Sequence, residues 1–274
     1  PMAWVIVAAF SALPLYYSEI GLRYTQAYFE AVSGLTTTGA TVIVGLDNAP
    51  PGILLWRGLL QWIGGIGIIG SGILILPMLG IGGMQFFKGE SADSSEKILP
   101  RVTQVGYVIL IVYLLLSVAC AFLYWAFGMT SFDAICHSMA TLGTAGLTNY
   151  DSSFGHYNSP EIEGIAIIFM FAGGIPFLAY YKASINGISS FWKDSQIRWF
   201  FCLCVGSVAV LTLWLCIFQP ERPELIINGK FSPWLALRHT AFNLTSLMTS
   251  TGFTTVDYGL WGSFTIVVFL ICTF

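Results

Sequence analysis

A short hydroxyl-rich phrase that ends in glycine occurs three times in this chain at nearly equal intervals. The copies end at Gly39, Gly146 and Gly252, which lie 107 and then 106 positions apart. They read Thr37-Thr38-Gly39, Thr144-Ala145-Gly146 and Ser250-Thr251-Gly252. The second and third copies also match beyond the glycine, with Thr two positions on and Asp five positions on. Such periodicity indicates tandem copies of one structural unit, so the chain is expected to fold as three similar parts.

The composition places this repeat in a membrane protein. Hydrophobic residues make up 56% of the chain and charged residues only 9%, and the mean hydropathy is +0.77. A soluble domain carries about 25% charged residues. The composition therefore argues against a soluble fold.

Five apolar stretches approach the ~20 residues that a helix needs to cross the ~30 Å hydrocarbon core. They are 1–17, 53–87, 102–129, 163–181 and 199–218, and a sixth begins at residue 258. Three shorter segments of mixed polarity each lead into a repeat glycine, and these are 24–36, 131–141 and 233–249. The expected order within each unit is therefore long helix, short helix, glycine turn, long helix.

The short helices are too short to cross the membrane. Non-helical backbone at membrane depth must be buried in protein or line a water-filled path, so a re-entrant loop is predicted after each short helix. The partially negative C-terminal ends of the short helices would face the membrane interior and favour a cation there. The predicted fold is an all-α membrane protein of tandem parallel helix, pore-helix, helix repeats around a central ion pore, with re-entrant filter loops.

The charges divide between the two ends of the expected helices. The connections 85–101 and 182–198 hold six basic and four acidic residues, whereas the rest of the chain holds five basic and ten acidic residues. Because cytoplasmic loops are enriched in Lys and Arg, these two connections are predicted to face the cytoplasm. The expected division is a first pore unit at 1–88 that lacks its beginning, a loop at 89–101, a second unit at 102–184, a loop at 185–197 and a third unit at 198–274 that lacks its end.

The segments around the first and third glycines resemble a known family. Residues 31–41 read AVSGLTTTGAT and residues 249–255 read TSTGFTT, and both are similar to filter segments of the Trk/Ktr/HKT superfamily of potassium transporters. The resemblance covers essentially the whole chain and implies a pore-forming membrane subunit. In that family four units surround one pore. A fourth unit is absent from this sequence, and we expect the natural chain to continue beyond Phe274.

The resemblance also implies which residues form the site. The K⁺ selectivity filter would comprise nine residues, namely Thr37, Thr38, Gly39, Thr144, Ala145, Gly146, Ser250, Thr251 and Gly252. K⁺ would be bound through the backbone of the three glycines, because carbonyl oxygens can replace its hydration shell. The residue before each glycine is expected to contribute main-chain oxygen only. Plant members that prefer sodium have serine at the first glycine, so Gly39 resembles the potassium-selective type.

One polar residue stands nine positions before each repeat glycine. These residues are Glu30, His137 and Asn243, and each is expected to support the filter by hydrogen bonding. Structural support is also favoured over ion binding for Asp133. No two histidines have a metal-binding spacing.

The implied function is potassium uptake across the membrane through a channel-like pore with a backbone-carbonyl filter. The alternative is an ion-coupled (Na⁺ or H⁺) secondary transporter of cations; parallel units favour a pore, since many such transporters use inverted repeats. An enzyme is not expected, because no histidine pairs convincingly with a candidate serine. The resemblance further implies bound K⁺ with no covalent cofactor, a homodimer in the lipid bilayer of the bacterial inner membrane, a cytosolic nucleotide-binding regulatory subunit of the TrkA/KtrA type, and no nucleic-acid partner.

Glycine and proline interrupt the second long helix of two units, at 64–83, which includes Pro77, and at 173–176. These sites are either hinges or points of close helix packing, and the sequence leaves both open. Residues 65–70 read GIGIIG and match a dinucleotide-binding pattern. No strand precedes them in this apolar stretch, so packing is the expected role.

Overall fold

The computed structural model describes residues 2–79, 98–219, 221–227 and 229–273. Its α-helices in chain order are α1 Met2–Tyr16, α2 Tyr24–Leu35, α3 Pro51–Leu79, α4 Ile98–Ala126, α5 Ser131–Leu142, α6 Pro160–Gly174, α7 Phe177–Asn186, α8 Ser189–Lys193, α9 Ser195–Phe218, α10 Pro233–Met248 and α11 Ser263–Thr273. Two short strands, β1 Ile226–Ile227 and β2 Lys230–Phe231, pair antiparallel. The predicted all-α class is confirmed.

Several of these helices are long and apolar enough to cross a membrane. In the described part of the chain they are Pro51–Gly72, Gln104–Ala126 and Ser195–Phe218, with mean hydropathies of 1.4, 2.6 and 2.5. Helices α6 and α7 together are also long and apolar enough, and the bend of 85° between them is that of a broken span or of a re-entrant loop. The chain is therefore a multi-pass membrane protein.

The bend lies within the apolar stretch 163–181, at the glycine and proline residues 173–176. Helix α6 ends at Gly174, and Ile175 has extended backbone angles of φ −73° and ψ 134°. Proline disfavours the helical conformation in the residue before it, so Pro176 explains why the helix stops there. The break predicted at 173–176 is confirmed in this unit.

The three short helices α2, α5 and α10 begin where expected and end within one residue of the expected position. Polar side chains fix two of the starts. The Thr130 hydroxyl accepts a hydrogen bond from the Asp133 amide at 3.1 Å, and the Ser232 hydroxyl accepts one from the Leu235 amide at 3.5 Å. Such N-caps satisfy amides that have no partner within the helix.

Each unit has a buried cluster, and the cluster of the second unit extends to Phe242 and Phe253 of the third. Helices α1, α2 and α3 enclose Ala12 and Leu15. Helices α4, α5 and α6 enclose Tyr124 and Met170, among others. Helices α9, α10 and α11 enclose a third cluster that includes Leu211, Leu215 and Trp261.

Residues 80–97 lie outside the described part of the chain. They include most of the predicted loop 89–101, the charged residues Lys88, Glu90, Asp93, Glu96 and Lys97, and the glycines at 80–83. Residues 98–101 belong to α4 rather than to a loop. In the connection 185–197, the chain forms the end of α7, all of α8 and the start of α9. The connection 185–197 is thus mostly helical, with Gly187 at the break between α7 and α8.

Candidate functional site

Each short helix ends in the same backbone turn. In the first copy the Thr38 amide donates to the Ser33 carbonyl at 2.9 Å, and the Thr37 amide donates to the Gly34 carbonyl at 3.1 Å. This pair of bonds defines a Schellman motif. The equivalent bonds elsewhere run from Ala145 to Ala140 (3.2 Å), Thr144 to Thr141 (3.2 Å), Thr251 to Ser246 (2.8 Å) and Ser250 to Leu247 (2.9 Å). The three turns therefore share one conformation, although their sequences differ.

The turns hold hydroxyl residues in a backbone conformation that usually belongs to glycine. The first residue of each phrase has a positive φ, with 53° at Thr37, 46° at Thr144 and 57° at Ser250. A non-glycine residue in this left-handed region costs of order 1 kcal/mol or more, and such strain clusters at functional sites. The strain is repeated in all three copies, which marks the turns as the candidate site.

The carbonyl oxygens of the three phrases, nine in all, accept no hydrogen bond from any residue that the structure describes. The amides of the second residues point back into the helix, and a trans peptide unit is planar with its N–H and C=O opposed. The carbonyls of Thr37, Thr144 and Ser250 therefore point away from their helices. Carbonyl oxygens can replace the hydration shell of a cation, so this unpaired array is a candidate set of cation ligands.

Side-chain metal ligands are not grouped in the same way. Within the described ranges, no three His, Cys, Asp or Glu residues are placed together so that they could hold a metal ion.

The turns lie side by side in the order of the sequence. A methyl group added at Gly39 would overlap the carbonyl oxygen of Ala145, and one added at Gly146 would overlap the carbonyl oxygen of Thr251. Glycine is thus required at both positions by space as well as by φ values of 75° and 76°. Gly252 has a φ of 83° but nothing within 4 Å of an added methyl group.

The hydroxyl groups beside two of the glycines are already engaged. The Thr38 hydroxyl pairs with that of Thr36 at 2.8 Å, and the Thr251 hydroxyl pairs with that of Thr249 at 2.8 Å. Ala145, at the equivalent position in the second copy, has no hydroxyl. This geometry agrees with the prediction that these three positions offer main-chain oxygen; their binding of an ion stays a prediction.

Glu30 and Asn243 contact the segments that follow the glycines in the same register. A Glu30 oxygen accepts bonds from the Thr41 hydroxyl at 2.6 Å and the Val42 amide at 2.5 Å. The Asn243 side-chain oxygen accepts a bond from the Thr255 amide at 3.2 Å. Val42 and Thr255 each lie three positions after a repeat glycine, and Glu30 and Asn243 are 1% and 0% exposed. Both side chains thus hold the segment that follows the repeat glycine in their own unit.

The hydrogen bond predicted between His137 and the second turn is not found. Its Nδ1 pairs with the Asp133 carbonyl oxygen at 2.8 Å, one turn back in α5, and its Nε2 has no partner among the described residues. The ring instead packs against Phe154 and Phe253, with centroids 5.4 and 6.3 Å away. His137 thus meets its surroundings by ring packing, which includes Tyr150 of the segment after Gly146 at 6.4 Å, rather than by a hydrogen bond to that segment.

Asp133 holds that segment instead. Its carboxylate accepts a bond from the Asn149 side chain at 2.8 Å, three positions after the glycine. Burial raises the pKa of Asp133, but the bonds donated by Asn149, Thr130 and Tyr150 outweigh it and hold the pKa below its usual value. A charged carboxylate at the start of α5 also suits the helix dipole.

Two buried polar residues of α3, absent from the predicted site, also reach the turns. The Arg57 guanidinium contacts the Glu30 carboxylate at 3.3 Å and donates to the Thr148 carbonyl at 3.0 Å. Gln61, one helical turn later, accepts a bond from the Leu147 amide at 2.9 Å. The signal that could have found them is two polar residues one turn apart in an apolar membrane stretch, where such residues are costly.

Helix α3 packs a glycine pair between two adjacent turns. A methyl group at Gly64 would overlap the carbonyl oxygen of Leu35, the last residue of α2. One at Gly65 would lie 3.1 Å from the Cα of Gly143, which caps α5 in the next unit. Close packing, rather than a hinge or a nucleotide site, is therefore the role of these glycines.

Helix α6 repeats this arrangement one unit further on. A methyl group at Gly173 would lie 3.4 Å from the carbonyl oxygen of Leu142, the last residue of α5. One at Gly174 would lie 3.0 Å from the side chain of Thr249, which caps α10. The glycine pair thus packs between two turns in both units, and in α6 it also precedes the bend.

Three re-entrant helix and turn units, placed side by side with their free carbonyl groups at the turns, define the chain as part of a membrane transport protein. The model of the TrkH family, described as a cation transport protein, matches residues 1–274. This chain belongs to that family.

Characterised relatives agree with this assignment. The Trk system potassium uptake protein TrkI of Halomonas elongata is 35% identical over 100% of this chain and 54% of its own length. The Trk system potassium uptake protein TrkH of Escherichia coli K12 is 38% identical over 98% of this chain and 55% of its own length. The crystal structure of the potassium transporter TrkH from Vibrio parahaemolyticus matches with a TM-score of 0.84 at 34% identity, over 99% of this chain and 54% of that one. The chain thus spans about half the length of these relatives.

Proposed function

We propose that this chain forms part of a potassium uptake pathway in which the three glycine turns contribute backbone carbonyls to a K⁺ selectivity filter. The observation that carries the proposal is the threefold Schellman turn with its unpaired carbonyl oxygens. The relatives named as potassium uptake proteins support K⁺ as the ion. The filter would comprise residues 37–39, 144–146 and 250–252.

The chemistry follows from the ligands. K⁺ gives up water only where oxygens replace it, and carbonyl groups do so without a fixed charge that would hold the ion too tightly. The C-terminal ends of α2, α5 and α10 add partial negative charge close to the turns. Packing of Gly39 against Ala145 and of Gly146 against Thr251 brings neighbouring carbonyl groups together.

The three turns leave one side open. Ala145 and Thr251 are 0% and 1% exposed, whereas Thr38 is exposed and Gly252 has no neighbour within 4 Å of an added methyl group. We infer that a fourth unit with the same turn closes the ring between the first and third units. The relatives, about twice as long as this chain, have room for one.

The remaining assignments are part of the same proposal. The units would be 1–88, 102–184 and 198–274, joined by cytoplasmic loops. The pore subunit would work as a homodimer in the bacterial inner membrane, with a cytosolic nucleotide-binding subunit that regulates it. The words "Trk system" in the relatives' names favour such further components.

The proposal is tested by Gly39→Ser in the natural full chain, with K⁺ and Na⁺ fluxes compared in liposomes. The serine side chain would displace the Ala145 carbonyl, so the K⁺ over Na⁺ preference should fall about tenfold, the equivalent of about 1.4 kcal/mol. The control is Gly52→Ser, because Gly52 lies in the same unit with nothing within 4 Å of an added methyl group. An unchanged preference in Gly39→Ser would overturn the filter assignment.

The same liposomes separate a pore from an ion-coupled transporter. A pore predicts K⁺ flux down a K⁺ gradient alone, with no Na⁺ present and equal pH on both sides. Flux that requires a Na⁺ or pH gradient would favour the coupled transporter.

A further inference from the structure

One filter strand is held by a side chain at the peptide unit next to its glycine. The Gln61 side-chain oxygen accepts a bond from the Leu147 amide at 2.9 Å, and its side-chain nitrogen donates to the Leu147 carbonyl at 3.4 Å. Gln61 is 1% exposed and also donates to the Arg57 carbonyl at 3.3 Å in its own helix. The Gln61 side-chain amide is thus hydrogen-bonded both to the backbone of its own helix α3 and to the backbone of the neighbouring unit.

This contact fixes the direction of the Gly146 carbonyl. The Gly146 carbonyl and the Leu147 amide belong to one planar trans peptide unit, in which C=O and N–H point in opposite directions. Because the Leu147 N–H points at Gln61, the Gly146 carbonyl points away from α3. A rotation of this peptide plane would turn an N–H toward the ion path, so Gln61 opposes the loss of a ligand.

In the described part of the chain, the other two units lack a side chain that bonds the peptide unit after the glycine. The amides of Ala40 and Phe253, which also follow a repeat glycine, have no side-chain partner among the described residues. The equivalent of Gln61 in α6 follows from the glycine pairs. Gly64 and Gly173 each face the last residue of their own short helix, so the residue three positions before Gly173 corresponds to Gln61. That residue is Met170, which is 0% exposed and packs in the apolar core.

We propose that Gln61 is a positioning residue that sets K⁺ selectivity by orienting the Gly146 carbonyl. The inference rests on the proposed function, since it assumes that the Gly146 carbonyl is an ion ligand. It goes beyond that function in making one filter strand depend on a side chain from the neighbouring unit.

The test compares Gln61→Met with Met170→Leu in the natural full chain, by the ratio of K⁺ to Na⁺ flux in liposomes. Methionine has nearly the shape of glutamine and is the residue found at the corresponding place in α6, but it cannot bond the Leu147 amide. Gln61→Met should lower the ratio threefold to tenfold, and Met170→Leu should leave it unchanged. Gln61→Glu, whose carboxylate still accepts from the Leu147 amide, should retain more of the ratio than Gln61→Met.

The ratio distinguishes positioning from stability, because a loss of folded protein lowers both fluxes in equal proportion. If Gln61→Met gives no flux, Gln61→Asn takes its place, since its shorter amide does not reach Leu147. A benchmark variant, Gly146→Ser, separates the two proposals. A lowered ratio in Gly146→Ser with a wild-type ratio in Gln61→Met overturns the role of Gln61 alone. A wild-type ratio in Gly146→Ser and Gly39→Ser overturns the filter, and the role of Gln61 with it.

Discussion

Beside the turns, polar side chains of α3 bond the second unit, whereas aromatic rings pack between the second and third units; this second junction also has an ion pair, Arg238 with Glu163 at 2.7 Å. In the first, the polar junction, Arg57 and Gln61 bond the backbone of Thr148 and Leu147. In the second, the aromatic junction, the rings of Phe154 and Phe253 pack with centroids 4.4 Å apart. Met170 stands where the polar junction has Gln61.

The comparison teaches that the three units share their backbone conformation at the turns, whereas the side chains packed around the turns differ. The Schellman bonds form within each unit, and each glycine pair only requires close approach. Neither depends on which side chains fill the remaining space. Unlike junctions can therefore support like turns, although they should respond differently to substitution.

The largest expected effect is at the polar junction. Arg57→Met would remove the bond to Thr148 across this junction and would also leave the buried Glu30 carboxylate of the first unit without its cation. Breaking a buried ion pair costs about 3–5 kcal/mol. The midpoint of thermal unfolding in detergent should fall accordingly. Replacing both partners, as Arg57→Met with Glu30→Gln, should recover much of the loss. At the aromatic junction Phe253→Leu should cost less than about 1.5 kcal/mol. An equal loss at both junctions would contradict the comparison.

An intermediate effect is expected at the glycine pairs. Gly64→Ala would drive a methyl group into the Leu35 carbonyl, and overpacking of this kind costs about 1–3 kcal/mol. Gly173→Ala meets its neighbours at 3.3 Å and beyond, and alanine recovers up to about 1 kcal/mol of helix propensity. Thermal unfolding of the two variants measures the difference. A larger loss of thermal stability in Gly173→Ala than in Gly64→Ala would contradict this ranking of the two glycine pairs.

The smallest effect is expected at the outer rim, where the loops of adjacent units meet. The Asp151 carboxylate accepts bonds from the amides of Gly45 and Leu46 at 2.8 and 3.1 Å. The Ser153 hydroxyl accepts one from the Thr254 amide at 3.2 Å. Asp151→Ala should cost about 1 kcal/mol and Ser153→Ala about 0.5 kcal/mol. Amide exchange at Gly45 and Leu46, faster in Asp151→Ala but not in Ser153→Ala, would localise the effect.

Much of the architecture could be predicted because it is local. The bounds of α2, α5 and α10 follow from segment polarity and the glycine turns, and the positions of Glu30 and Asn243 follow from counting back from those glycines. Gln61 and Arg57 could not be found in this way. Their partners in the second unit lie 86 and 91 positions away in the sequence, and only packing of one unit on the next brings them together.

His137 shows the limit of arguing by register. It occupies the same position as Glu30 and Asn243, yet a ring of Phe154, Tyr157 and Phe253 surrounds it. Equivalent positions in a repeat share backbone geometry, but their side chains contact different neighbours. Asp133 therefore takes over the bond to Asn149, which no count from Gly146 would have indicated.

The glycine pairs also have a mechanical consequence. Helix α3 lies against the backbone of Leu35 at the end of α2 and of Gly143 at the cap of α5, with the Tyr113 hydroxyl also beside Gly65. A roll or tilt of α3 would therefore push on two neighbouring turns at once. Helix α6 contacts the second and third turns in a similar way. A displacement of either helix would therefore reach two adjacent turns rather than one.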